Sequence, residues 1–323
     1  MADLAWLALI SLVIFPVILV LLLWLIRAPA RVQIPIKGRH VFITGGSSGI
    51  GLELAKLAAT QGARISILAR DRKRLDEAES YISKHSSHEV KTFSADVADY
   101  EAVVRTMEAA EEIDVLICSH GLAVVRSLED ISIKDVNTML DTNLKGNINI
   151  IKAAISKMKQ PHDNPRSIAI VSSQAGQTGV FGLAAYSATK FGLRGLAEVL
   201  QQELFFYNIR VSLIFPPDTY TPGFIEENKG KPDITKELSS TSTAMEAIVV
   251  AKKTLSGIKA GHFFVACNFD GLVLNLATAG VSPQPSLRLA IAEVLLAGFM
   301  RIISLCLLWS WYRKISSWYS KKK

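Results

Sequence analysis

Cysteine is scarce in this chain of 323 residues: Cys118, Cys267 and Cys306 stand far apart, with no C-x-x-C pair and no even set. That spacing excludes a disulfide framework, fits a reducing compartment and leads to no expectation of a metal site. Nucleic-acid motifs are missing too. The net charge of +7 comes from scattered basic residues, so an anionic membrane surface and a phosphate-bearing ligand account for it better than a nucleic-acid partner. Charge itself is absent from positions 4–26, where only Ser11 and Pro16 interrupt an apolar run. The run is long enough to cross a bilayer, which takes about 20 residues. A cleaved signal peptide is the alternative. Asp3 before the run, with no Lys or Arg there, argues instead for a retained transmembrane anchor. Arg27, Arg31, Lys37 and Arg39 follow it, which places the rest of the chain in the cytosol.

The chain as a whole is apolar for a wholly soluble protein, at 50% hydrophobic residues and a mean hydropathy of +0.29, and its length suits one large α/β domain with additions. A short apolar strand, HVFIT at 40–44, runs into Gly45, Gly46, Ser47, Ser48, Gly49, Ile50 and Gly51, then into a helical pattern over 52–60. Strand, glycine turn and helix N-terminus make a pyrophosphate cradle, because glycines let the backbone approach and free amides face the anion. A second strand is expected over 64–69. Arg70 follows it, where an acidic residue would accept a ribose 2′-hydroxyl and a guanidinium would clasp a 2′-phosphate. Arg70, with Arg74 one turn on, points to NADPH, while the adjacent Asp71 and a solvated helix start keep the other reading open.

The organising stretch is VSSQAGQTGVFGLAAYSATKFGLRGL, 171–196. Tyr186 and Lys190 lie four apart in a helical pattern, so phenol and ammonium share one face. A lysine cation favours the phenolate and brings the tyrosine nearer to working pH. Ser172 and Ser173 close an expected strand over 167–171, and a hydroxyl there can donate to a substrate carbonyl while Tyr186 delivers the proton. An isolated Y-x-x-x-K is more often just a solvated helix face. The glycine turn upstream changes that balance toward carbonyl reduction.

T-G-x-x-x-G-x-G, Asn143 in a helical pattern over 135–158, and a serine thirteen residues before a Y-x-x-x-K motif together resemble the short-chain dehydrogenase/reductase family over 36–267. The resemblance implies an α/β fold with a Rossmann-type, doubly wound parallel sheet, a nicotinamide cofactor and an Asn-Ser-Tyr-Lys tetrad. Carried over, Asn143 anchors a water relay to Lys190, Ser173 binds the carbonyl, Tyr186 is the acid, and Lys190 holds the cofactor ribose. The spacing favours Ser173, and Ser172 stays open. Asp96 and Val97, at the end of the next strand, are implied as adenine contacts, Gly121 as a close backbone approach, and Pro216, Thr219 and Thr221 as contacts to the nicotinamide amide. Two departures stand out. Cys118, Ser119, His120 and Gly121 replace the usual Asn-Asn-Ala-Gly after a strand over 114–119, and Pro217 replaces a glycine. His120 reads as a structural residue, since Tyr186 already fills the proton-transfer role.

A helix is expected over 184–206 and a strand over 209–215. A polar stretch over 223–243 reads as a substrate lid or a surface loop. A helix over 245–258 and a strand over 262–267 follow. Then 272–281 and 287–312 turn apolar again, broken by Arg288, Glu293 and Arg301, so an embedded amphipathic hairpin and a clean span are both open. Trp309, Trp311, Trp318 and Tyr319 suit an interfacial belt, and Lys321, Lys322 and Lys323 a cytosolic end with a weak dilysine retrieval signal. Expected units are an anchor over 1–35, a catalytic domain over 36–268 and a hydrophobic membrane-associated tail over 269–323. The stretches SSQAG, FGLAAYSATKFGLRGLAE and FPPDTYTPGF, with EEN after it, narrow the resemblance to membrane-bound family members that reduce a long-chain sphingoid ketone with NADPH at the endoplasmic reticulum. That implies membrane lipid, a homodimer through the Tyr186 helix and neighbouring sphingolipid-synthesis enzymes as partners. A retinoid or steroid dehydrogenase and a catalytically silent NADPH-binding membrane scaffold are the alternatives.

Overall fold

Strands of this chain are buried on both faces, and their side chains alternate between two cores. In a computed structural model, which describes residues 2–26, 32–239 and 243–321, helix α1 (Ala2–Ile26) precedes strand β1 (His40–Thr44). There follow α2 (Gly49–Thr60), β2 (Arg64–Ala69), α3 (Arg72–Ser83), β3 (Val90–Ser94), α4 (Tyr100–Ala109) and β4 (Val115–Cys118). After α5 (Ile133–Met139), a π-helical segment (Leu140–Lys145) and α6 (Gly146–Met158) come β5 (Arg166–Val171), α7 (Ala184–Glu203) and β6 (Ile209–Phe215). The first six strands and β9 (Phe264–Ala266) form one parallel sheet in the order β3-β2-β1-β4-β5-β6-β9. Val41 and Ile43 of β1 join one core, and Phe42 joins the other, as the two-residue period of a strand requires. The first core takes α2 and α3, with Leu54, Ala58 and Leu75, and the second takes α4, α6 and α7, with Met107, Ile151 and Leu193. Strand order reverses between β1 and β4, which opens a crevice at their carboxyl ends.

At the opposite ends of the strands the sheet is tied by charge. Asp114 accepts from the His40 amide at 2.9 Å and pairs with Arg39 at 2.8 Å, while the buried Arg166 reaches Asp114 and Glu112.

The polar stretch after β6 is ordered. Strand β7 (Thr219–Tyr220) pairs in parallel with β8 (Met245–Glu246), and α8 (Pro222–Asn228) and α9 (Asp233–Ser239) lie between them, ahead of α10 (Ala247–Lys259). Thr221 caps α8 by accepting from the Phe224 amide at 3.1 Å, with Pro222 in the first turn, a start that suits both residue types. Ile234, Thr235 and Leu238 are buried, so a sparse set of three inward residues holds a segment whose composition reads as a loop.

Two elements close the chain, α11 (Phe269–Ala277) and α12 (Leu287–Ser320). Among the described residues α12 alone is long and apolar enough to cross a membrane, and 14–26 of α1 form a shorter apolar helix. One stripe of α12 seats on the domain. Ala290 and Met300 are buried, Lys314 reaches Glu237 of α9 at 3.9 Å, and Trp318 stacks edge-on against Phe181 at 5.7 Å. Helix α1 runs against α12. The chain leading from α1 to β1 is fixed from Val32 onward: Ile34 and Ile36 are buried, and the Ile34 amide donates to the Lys259 carbonyl at 2.9 Å. Arg27, Arg31, Lys322 and Lys323, on which the orientation and retrieval signals partly rest, lie outside the described residues.

Candidate active site

The glycine turn is built by crowding. Gly45 has φ +69°, and a Cβ there would meet the Ser119 carbonyl at 2.8 Å; a Cβ on Gly51 would stand 2.3 Å from the Gly45 carbonyl oxygen. Only glycine allows that left-handed turn and that backbone contact. Helix α2 begins three residues earlier than its apolar period suggests, and Ser48 at its N-cap makes no side-chain cap hydrogen bond. Its first amides are therefore left for a ligand, which is the cradle a pyrophosphate needs.

Around this turn opens a cleft of about 1090 Å³. Gly45, Ser47, Ser48, Gly49, Ile50, Arg70, Arg74, Val97, Gly121, Ser172, Ser173, Tyr186, Lys190, Pro216, Thr219 and Thr221 all line it. Three of the residues singled out from sequence stand behind the wall or beside it. Gly51 packs under Gly45. Asn143 is fully buried. Asp96 caps the turn after β3 by accepting from the Ala98 amide at 2.9 Å, and pairs with Arg70 at 3.7 Å. Strand β3 ends at Ser94, two residues short of Asp96.

Tyr186 and Lys190 lie on the first turns of α7, facing the end of β5. Lys190 Nζ donates to the Val171 carbonyl at 3.0 Å and sits 5.5 Å from the centre of the Tyr186 ring. Ser172 is committed elsewhere, because its buried hydroxyl donates to the Lys190 carbonyl at 3.0 Å and ties β5 to α7. Ser173 caps a short 3-10 turn by accepting from the Ala175 amide, and its hydroxyl hydrogen-bonds the Tyr186 phenol. Of the two serines, Ser173 has its hydroxyl beside the tyrosine.

Electrostatics here differ from the sequence expectation. Burial pushes the Tyr186 phenol above its ordinary value, the nearby carboxylates of Glu227 and Asp218 push it further, and the bond to Ser173 opposes them. Burial pulls Lys190 down to about 8. Desolvation outweighs the lysine–tyrosine attraction, so Tyr186 keeps its proton. A phenol that keeps its proton is a donor.

Asn143 sits in the π-helical segment. Its Oδ1 accepts from the Leu122 amide at 2.9 Å, its Nδ2 donates to the Leu122 carbonyl at 2.8 Å and to Thr189 Oγ1 at 3.2 Å, and its own carbonyl accepts from Asn147. The side chain therefore clamps the loop after β4, where a Cβ on Gly121 would come within 3.5 Å of Lys190 Nζ. His120 is held at both nitrogens: Asn147 Nδ2 donates to Nε2 at 3.3 Å, and Nδ1 lies 2.6 Å from Thr44 Oγ1. Burial, with the Lys190 charge, pulls the imidazole down to about 3. It is neutral and structural, tying the end of β4 to β1.

Two parts of the cleft escaped the sequence reading. Lys231 is buried between α8 and α9, 3.4 Å from Asp218 and 3.8 Å from Glu227, and burial pushes Glu227 up to about 7. The four-residue spacing of Glu227 and Lys231 was the available signal. The far wall is apolar and comes from the C-terminus: Val273 and Leu274 of α11 and Met300, Ile303, Leu307 and Trp311 of α12.

Comparison with known proteins agrees with this geometry. The family profile described as short chain dehydrogenase matches residues 39–232. A 3-dehydrosphinganine reductase of Arabidopsis thaliana is 52% identical over 93% of this chain and 92% of its own. A 3-ketodihydrosphingosine reductase of Bos taurus is 37% identical over 88% of each. Among solved structures, a short chain dehydrogenase/reductase family protein superposes with a TM-score of 0.62 at 26% identity, over 72% of this chain and 97% of its own. A short-chain dehydrogenase from Sphingobium yanoikuyae in complex with NADPH gives 0.64 at 24%, over 72% and 88%.

Proposed function

The chain belongs to the short-chain dehydrogenase family, and on that footing we propose that it reduces 3-ketosphinganine to sphinganine with NADPH. The observation that carries this is the cleft, which joins a protonated Tyr186 beside Ser173 at one end to an apolar wall from α11 and α12 at the other. A long-chain ketone needs both. Relatives across 88–93% of the chain carry that reductase name.

The glycine turn, the free α2 N-terminus, Arg70 and Arg74 would hold the dinucleotide, and the bound nicotinamide supplies the hydride. Ser173 orients the substrate carbonyl by donating to its oxygen. Tyr186 gives that oxygen a proton as negative charge develops on it. Lys190, cationic below about 8, holds positive charge behind the phenol and stabilises the phenolate that remains. Asn143 acts through its clamp on Leu122, which sets the loop beside Lys190. Arg70, directly after β2, and Arg74, in the first turn of α3, favour the 2′-phosphate of NADPH. The substrate amine sits on the carbon beside the ketone. With the ketone oxygen at Tyr186, the carboxylates of Asp218 and Glu227, whose charge reaches the phenol, would be the acidic partners for that amine.

The unit over 36–268 carries the reaction, α1 anchors it, and 269–323 ties it to lipid at the cytosolic face of the endoplasmic reticulum. Detergent-purified protein is expected to oxidise NADPH with 3-ketosphinganine and not with retinal or a steroid ketone. Turnover of the latter two in preference would overturn the substrate assignment.

A bell-shaped profile of kcat/KM against pH is also expected. Glu227 gains its charge as pH rises through about 7, and Lys190 loses its charge as pH rises through about 8, so the rate climbs and then falls. Glu227→Gln removes the acid limb and leaves the alkaline one. An acid limb that survives the substitution assigns it to another group.

A further inference from the structure

Helix α12 is apolar nearly all the way round. A helix of that kind has no side meant for water. Its domain-facing stripe runs through Met300, Ile303, Leu307, Trp311, Lys314 and Trp318, at three- and four-residue steps, and each member touches the catalytic domain or lines its cleft. From 290 to 318 the axis covers about 42 Å at 1.5 Å per residue. Its middle and C-terminal end lie against the domain directly, and its N-terminal end is tied to the same domain through the preceding segment, where Arg194 of α7 donates to Ser282 at 2.8 Å and Gln284 donates to Glu293 at 2.6 Å. A helix crossing the bilayer would carry one end beyond a hydrocarbon layer of about 30 Å, out of reach of a domain on the other side. The opposite stripe, Leu295, Ile302, Trp309 and Tyr312, is 60–70% exposed, and Arg288, Arg301 and Arg313 flank it, a charge sign that suits anionic headgroups. Ile303 and Leu307 are more than a third exposed although they face the domain, because what they face is the open cleft.

We propose that α12 lies in the plane of the membrane surface rather than across it, with its outer stripe in lipid and its inner stripe forming the wall along which a hydrocarbon chain passes from the bilayer to Tyr186. The helix placement stands on contacts alone, whereas the passage of a ketone's chain rests on the function proposed above.

Full-length protein in sealed vesicles, catalytic domain outside, tests the first part. In a Cys306→Ser background the remaining cysteines, Cys118 and Cys267, are buried. Single cysteines are then introduced by Val281→Cys and Ser317→Cys, one near each end of α12. A membrane-impermeant maleimide is expected to label both from outside. Labelling of only one before detergent opens the vesicles would overturn the in-plane placement. For the wall, Ile303→Trp and Leu307→Trp are each expected to lower the ratio of kcat/KM for a long-chain over a short-chain 2-amino-3-ketone by about tenfold. An unchanged ratio, with wild type reducing both, would overturn the wall. Reduction of neither ketone by wild type would overturn the proposed function instead, and the labelling would still decide where the helix lies.

Discussion

Tyr186→Phe is expected to lower kcat by about 10³-fold, within the range general acid catalysis supplies, while NADPH binding stays within about twofold of wild type. The change removes one oxygen and keeps the ring. The ring lies 5.5 Å from Lys190 Nζ, in the first turn of α7, so packing survives. Ser173 would still bind the carbonyl, but the neighbouring imidazole and hydroxyl are committed elsewhere: His120 is neutral, with both nitrogens engaged, and Ser172 is spent on the Lys190 carbonyl. Single-turnover kinetics with saturating cofactor, beside a cofactor titration by fluorescence, separate the two effects. Turnover within tenfold of wild type would show that the proton comes from elsewhere.

Arg70→Ala is expected to raise the Kd for NADPH by roughly 10–100-fold, the equivalent of one charge-assisted hydrogen bond of about 1.5–3 kcal/mol, and to change that for NADH by less than about threefold. Arg70 is free to act this way. Its side chain is 62% exposed at the cleft rim, and its ion pair with Asp96 is long at 3.7 Å, so little is lost in turning the guanidinium to a phosphate. Arg74 has a similar loose pair with Asp71 at 3.6 Å and supplies a second cation. Equal losses for the two cofactors would mean that Arg70 holds the common part of the dinucleotide, or only the loop.

The parallel sheet and the glycine turn are legible in the sequence because they are local. HVFIT is buried throughout and RISILA at its four central residues, the turn after the first is fixed by backbone crowding at Gly45 and Gly51, and Tyr186 and Lys190 share a face by helical period alone. What the sequence hides is the fate of each polar group once it is buried. Two adjacent serines look alike until one hydroxyl reaches the Lys190 carbonyl and the other the phenol. The lowered tyrosine that a neighbouring lysine suggests gives way to a raised one, because desolvation and the Glu227 and Asp218 carboxylates, more than 30 residues downstream, outweigh it. The helix around Asn143 is consistent with a kink only through the family resemblance. Its π-helical turn has no marker in residue type and shows only in the clamp on Leu122. The polar stretch after β6 is taken for a loop or lid because its two short helices are held by very few apolar residues, some of them against α12, which the sequence places more than 50 residues away.

The fixed segment after α1 has a consequence for how the enzyme meets its substrate. By Ile34 the chain is bonded into the domain, and only residues 27–31 separate that segment from the end of α1, a reach of no more than about 20 Å even when fully extended. With α1 held in the bilayer, as proposed above, a catalytic domain on so short a mount cannot search the surrounding water. Encounter then becomes lateral diffusion within a sheet. The quantity that sets the rate is the number of ketone molecules per unit area of lipid, so inert lipid slows the enzyme where added buffer does not.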